Sequence, residues 1–86
     1  MASMIINHRI SDYNLFRSVF DSLHATMNNY GETGEEVSRG DKQPNDIVII
    51  TNWGSLDQAK KYSQSREIKD AFKKAGISNP NIYFVD

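Results

Sequence analysis

The 86-residue chain has two histidines, the only side chains whose ordinary pKa suits a base near neutral pH. His8 stands in the stretch "MIINHRI", where strand alternation puts it on one face with Ile6 and Ile10. An imidazole on an apolar face is either hydrogen-bonded internally or faces a cavity. In a cavity it could take a proton from an acidic substrate, so His8 is the catalytic candidate. His24 falls at the polar edge of a predicted helix, and we expect it to be solvated.

Three aromatic residues complete a candidate ligand pocket with His8. Trp53 follows the apolar run "DIVIIT", and its large ring could pack in the core or close a pocket. Tyr62 and Phe72 lie on the apolar side of the following helical segment, so either could line the same space. The predicted pocket residues are therefore His8, Trp53, Tyr62 and Phe72.

Composition argues against several other kinds of chemistry. Ten basic and eleven acidic residues give a net charge of −1, which favours neither nucleic acid nor an anionic membrane. The two histidines have no supporting carboxylate at metal-binding spacing, and no glycine-rich phosphate loop opens a helix. Since cysteine is absent and no apolar window is long enough to span a bilayer, we expect a cytoplasmic protein without a metal or cofactor.

The elements that position these residues can be read from their periodicity. Ser11 or Asp12 can cap a first helix, which we expect to end at Gly31. Its apolar stripe consists of Phe16, Val19, Phe20, Leu23 and Met27. Ser55 and Gln58 form a capping-box pattern for a second helical region, which "SQS" at 63–65 should kink or divide.

Strands account for most of the remaining chain. A weak strand around Val37 precedes a turn-rich stretch, and the run 47–50 is apolar without alternation, as in a strand buried on both faces. "NIYFVD" closes the chain as a last strand. We expect a flexible tail at 1–3 and, over 4–86, one ferredoxin-like βαββαβ domain with a four-stranded antiparallel sheet and both helices on one face. Because two helices cover only one face, the other face predicts a homodimer.

Several stretches resemble one superfamily of small proteins. "MIINHRISDYNLFRSVFDS" is similar to the first strand and helix of the antibiotic-biosynthesis-monooxygenase-like superfamily, and "DIVIITNWGSLDQAKKY" and "NPNIYFVD" are similar to later elements. The resemblance covers 4–86. It implies a dimeric α+β barrel with a pocket between the sheet and the helices. The superfamily includes cofactor-independent oxygenases, haem-degrading monooxygenases, isomerases and members without an assigned activity.

Haem degradation does not carry over to this chain. In that branch an Asn on the first strand accompanies a Trp and a His on the second helix. An ungapped match puts His8, Tyr62 and Phe72 at those places, and a one-residue slip makes Asn7 the first match instead. Phe72 cannot ligate iron.

The function expected from the sequence is binding of a small hydrophobic or aromatic molecule in this pocket. One interpretation is a cofactor-independent monooxygenase or isomerase in which His8 is the base. The alternative is a non-catalytic module of the same fold that binds a ligand or a protein partner, since a single histidine without an orienting carboxylate is a sparse catalytic set. A third hypothesis is that the pocket is filled by its own aromatic side chains and the dimer surface carries the function.

Overall fold

The computed structural model describes residues 2–86, so Met1 of the predicted tail lies outside the described residues. Eight elements follow one another along the chain. They are β1 (Ala2–Arg9), α1 (Tyr13–Asp21), α2 (His24–Tyr30), β2 (Glu32–Arg39), β3 (Asp46–Trp53), α3 (Leu56–Ser63), α4 (Arg66–Ala75) and β4 (Asn81–Val85).

The four strands form one antiparallel sheet in the order β2-β3-β1-β4. This is the predicted ferredoxin-like α+β arrangement, in which two helical segments cover one face of the sheet. Along β3 the burial alternates, with Ile47, Ile49, Thr51 and Trp53 buried on the helix side. The fold predicted from the order of elements is therefore confirmed.

The first strand begins earlier than the sequence indicated. Ala2 is the Cα partner of Trp53 and is buried, and the Ser3 hydroxyl donates to Asn52 Oδ1 at 2.8 Å. The prediction of a flexible tail is therefore corrected for Ala2 and Ser3. Alternation along β1 puts His8 on the helix side together with Ile6, as expected.

The first helical segment is two helices where the stripe predicted one. Asp12 caps α1 by accepting from the Leu15 amide at 3.1 Å, but α1 ends at Asp21 and α2 starts at His24. The turn between them changes the direction of the chain while Phe20 and Met27 both stay buried. Gly31 ends α2 in the left-handed region with φ 110°, as its position predicted.

The second helical segment divides at the predicted place. Ser55 caps α3 and Ser65 caps α4, each accepting from the backbone amide three residues on. Within residues 2–86 no helix is long and apolar enough to cross a membrane.

The opposite face of the sheet has no helix on it. Its apolar side chains are Ile5, Val48, Ile50, Tyr83 and Val85, which we call the outer apolar face. Tyr83 and Val85 are 56% and 51% exposed. The predicted second layer on this face, a partner copy, stays a prediction.

Candidate functional site

An apolar cavity lies between the helix side of the sheet and the two helical segments. From the sheet it is lined by Met4, Ile6, His8, Ile49 and Thr51, and from the helices by side chains that include Phe16, Phe20, Met27, Tyr62, Ile68 and Phe72. The space between its atoms is about 430 Å³, and part of that space is open to solvent. The centre of a water molecule can occupy only about 30 Å³. Since about 10–15 Å³ by that measure holds one water, a ring system enters only if lining side chains move.

His8 is the ionisable group of β1 at this cavity. The residue is 4% exposed, its ring lies 5.3 Å from the ring of Phe16, and neither ring nitrogen has a hydrogen-bond partner among residues 2–86. Burial lowers the pKa of His8 below its ordinary value, against a smaller opposing effect of the Arg9 backbone. The imidazole is therefore held neutral near pH 7.

Tyr62 and Phe72 line the same cavity from α3 and α4, as the sequence predicted for a shared pocket. Tyr62 is 1% exposed, and its hydroxyl has no hydrogen-bond partner. Burial, followed by the charge of Glu32, raises the pKa of Tyr62 well above its ordinary value, so the phenol is a hydrogen-bond donor at all physiological pH values. Whether these residues bind a ligand stays a prediction.

Trp53 lies beside the cavity and does not line it. Its ring is fully buried and packs 5.3 Å from that of Tyr62. The indole Nε1 donates to Thr51 Oγ1 at 2.8 Å, and Thr51 in turn donates to the Met4 carbonyl at 3.1 Å. These contacts make Trp53 a core residue that supports Tyr62, which is one of the two roles that the sequence left open.

A group of polar residues that the sequence did not suggest lies on β2 and α2 next to Tyr62. Glu32 is buried, and burial together with the nearby charge of Glu35 raises its pKa to about 7, while His24 opposes the shift. Oε2 of Glu32 and Oε2 of Glu35 have no hydrogen-bond partner. The pairing of β2 with β3 turns these two carboxylates toward the helices.

His24 connects this group to solvent. Its Nδ1 bonds the Asp21 carbonyl at 2.8 Å and its Nε2 lies 2.9 Å from Glu35 Oε1. The Asp21 backbone contact, together with the charges of Glu35, Asp21 and Glu32, raises the pKa of His24 although some burial opposes it. The predicted solvated flank is confirmed by a side chain that is 43% exposed, but the pairing with Glu35 was not foreseen.

A groove adjoins the cavity between α1 and α4. It shares Val19, Leu23 and Ala71 with the cavity, and Glu67, Asp70 and Lys74 lie along it. Leu23, in the break between α1 and α2, is half-buried. The groove and the cavity therefore adjoin each other along these three shared side chains.

No family model matches this sequence, and no curated protein is similar to it at a significant level. Solved structures define its class, because many of them share the whole fold: the chain has the ferredoxin-like α+β fold of structures described as antibiotic biosynthesis monooxygenases. The fold likeness predicted from the sequence is thereby confirmed.

Three of these structures illustrate the likeness. SnoaB from Streptomyces nogalater, described as a cofactor-independent oxygenase, has a TM-score of 0.81 at 15% identity over 99% of this chain and 90% of its own. A protein from Bordetella bronchiseptica, provisionally described as an antibiotic biosynthesis monooxygenase, gives 0.82 at 14% identity over 99% and 94%. A protein from Methanosarcina mazei Go1 gives 0.77 at 14% identity over 99% and 91%. At such identities the likeness establishes the fold and leaves the activity open.

Proposed function

We propose that this protein is a small homodimer that binds a hydrophobic or aromatic molecule in the cavity between sheet and helices, with His8 as the group that acts on it. The observation that carries the proposal is the His8 ring, buried at an apolar cavity with both nitrogens unpartnered. A buried polar group without a partner costs about 1–3 kcal/mol, and a ligand that hydrogen-bonds to it would recover part of that cost.

The enzymatic form of the proposal is a cofactor-independent oxygenase acting on an acidic polycyclic phenol. His8 takes the hydroxyl proton, and the apolar walls favour a delocalised anion over a localised one. The anion adds O₂ at the carbon para to the oxygen, and the resulting peroxide loses water to leave a quinone. For 1-naphthol the balance is C₁₀H₈O + O₂ → C₁₀H₆O₂ + H₂O, which requires no external reductant.

The fold of SnoaB, described as a cofactor-independent oxygenase, supports this form. The alternative is a binding module without turnover. The absence of a hydrogen-bond partner for either nitrogen of His8 favours it, because efficient bases are usually oriented by a second group. The two forms differ in whether oxygen is consumed.

A His8→Ala variant tests the proposal. With 1-naphthol and a panel of polycyclic hydroquinones, the unaltered protein should consume oxygen above the buffer rate, and the variant should lose about 10²–10⁴-fold in rate, the usual contribution of a general base. Lys69→Ala, which changes an exposed residue of α4, is the control and should leave the rate unchanged.

An amide-shift NMR titration with the same compounds separates binding from turnover. Shifts at His8, Tyr62 and Phe72 without oxygen consumption would leave the binding module as the function. A well-dispersed spectrum with no shifts at these residues would contradict the ligand pocket itself and favour the dimer surface as the seat of function.

The homodimer is proposed through the outer apolar face. Ile5 is the Cα partner of both Ile50 and Tyr83, so three apolar side chains form one row across the uncovered side of three strands. An exposed row of this kind is usually covered by a partner. The cytoplasmic location expected from the sequence remains part of the proposal.

A further inference from the structure

Three buried oxygen atoms without hydrogen-bond partners occur in the part of the fold around Tyr62. They are the Tyr62 hydroxyl, Glu32 Oε2 and Glu35 Oε2. Burying a polar atom without a hydrogen-bond partner costs free energy. A group of such atoms therefore indicates that a molecule outside the chain forms a hydrogen bond with at least one of them. The role proposed for His8 uses none of them.

Strand pairing places Glu32 in the surroundings of Tyr62. Glu32 is the Cα partner of Trp53, whose ring centroid lies 5.3 Å from that of Tyr62. The ring of Tyr30, two residues before Glu32, also packs against Tyr62, at 5.2 Å between centroids. Glu32 is also the charge that acts most strongly on the Tyr62 hydroxyl.

Other ionisable groups complete these surroundings. From α4, Glu67 accepts a hydrogen bond from the Tyr30 hydroxyl at 3.2 Å and adds a weaker charge effect on Tyr62. The charge of Glu35 on β2 raises the pKa of Glu32, and the charge of His24 on α2 lowers it. Among these groups only Tyr62 is one of the residues that line the cavity.

Tyr62 and His8 lie toward opposite ends of that cavity. His8 pairs with Ile47 at the start of β3, whereas Tyr62 packs against Trp53 at its end. The part of β1 that lines the cavity runs from Met4 to His8, about 13 Å at 3.3 Å per residue. Between the two ends the lining side chains are apolar apart from Thr51, whose hydroxyl is bonded to Trp53 and Met4.

We propose that Tyr62 is a second polar end of the cavity that donates a hydrogen bond to an oxygen of the bound molecule, at the end remote from His8. The inference rests on the proposed binding function and specifies the ligand further. The ligand is an elongated apolar molecule that carries a hydrogen-bonding oxygen at each end. Where the remote oxygen is a carbonyl conjugated with the group that loses its proton to His8, it carries part of the resulting negative charge, which the Tyr62 donor stabilises.

A matched pair of probes tests the proposal. 2,6-Dihydroxynaphthalene carries oxygens at both ends, and 2-naphthol carries one, with the same rings. By calorimetry at pH 6 the first should bind the protein about 3- to 10-fold more tightly, as expected for one net hydrogen bond. Tyr62→Phe should abolish the affinity difference between the two probes while leaving the affinity for 2-naphthol nearly unchanged. The control Tyr13→Phe removes a hydroxyl outside the cavity and should preserve the affinity difference.

Equal affinity for the two probes, or a difference that survives in Tyr62→Phe, would overturn the inference and leave the binding function standing. Failure of both probes to bind would contradict the proposed binding function, and this inference with it.

Discussion

At the scale of single residues, the buried polar side chains on the helix side of the sheet fall into two kinds. Thr51 is satisfied, since it accepts from Trp53 and donates to Met4. His8 and Tyr62 line the cavity, and their buried polar atoms have no partner within residues 2–86. The satisfied group stabilises the core, whereas the unsatisfied ones are the atoms that the proposed function pairs with a ligand.

Glu32 should make stability depend on pH. In the unfolded chain its pKa is near 4.5 and in the folded chain about 7, so the folded state holds a proton that the unfolded state releases. This contribution is complete below pH 4.5 and is lost as the pH rises through about 7. Urea unfolding at intervals from pH 4.5 to 8 should therefore show a stability decrease that Glu32→Gln removes.

His8 acts in the opposite direction, because its pKa is lowered on folding and its contribution is lost as the pH falls below 6.5. The comparison of Glu32→Gln with the unaltered protein isolates the carboxyl, since His8 is present in both. An identical pH profile in the two proteins would show that Glu32 titrates normally.

At the scale of elements, short helices are joined by caps and breaks whose geometry decides where side chains point. The end of α2 contacts the start of α3, where the Gly54 amide donates to the Gly31 carbonyl at 3.1 Å. Gly31 has φ +110°, and a Cβ added there would lie 2.5 Å from Gln58 Nε2. This junction holds Tyr30, and through it Tyr62, in place.

Gly31→Ala should therefore destabilise the protein by about 1–2 kcal/mol, from the left-handed backbone conformation that an L side chain resists. Gly34→Ala is the control, because its φ is not positive and its nearest neighbour to a Cβ, Asn52 Nδ2, is 3.8 Å away. Urea unfolding of both variants measures the difference. Equal stabilities would mean that the junction adapts without strain.

At the scale of the whole molecule, one face of the sheet is covered and the other is not. On the outer apolar face Tyr83 and Val85 are both more than half exposed, which supports the proposed homodimer. The apolar run at 47–50 supports the proposed homodimer as well, because Val48 and Ile50 lie on the outer apolar face.

Ile50→Lys should convert the proposed dimer into a monomer, because a buried lysine without a partner in the interface costs several kcal/mol. Sedimentation velocity at micromolar concentration would measure the change, with Gln64→Lys, an exposed change away from the sheet, as the control. A monomeric unaltered protein, or a dimer that survives Ile50→Lys, would contradict this interface.

Local patterns were enough to predict the strands, the cap at Ser55, the division of the second helical segment and the placement of His8 on the inner face. For the first helix they left the cap open between Ser11 and Asp12, and the structure shows Asp12. These patterns failed to predict the break between α1 and α2, where Leu23 lies. The turn there keeps Phe20 and Met27 inside, so the apolar residues keep almost the same spacing as in one continuous helix. They also failed at Ala2 and Ser3, whose strand pairing depends on residues about fifty positions away.

The sequence by itself determined the fold class and three cavity-lining residues, His8, Tyr62 and Phe72, because alternation and helical spacing decide which face a side chain occupies. Only the tertiary structure decided that Trp53 is a core residue beside the cavity, and that Glu32 and Glu35 are buried near Tyr62. Strand register and helix packing bring those groups together, and both depend on contacts between distant parts of the chain that no local pattern encodes.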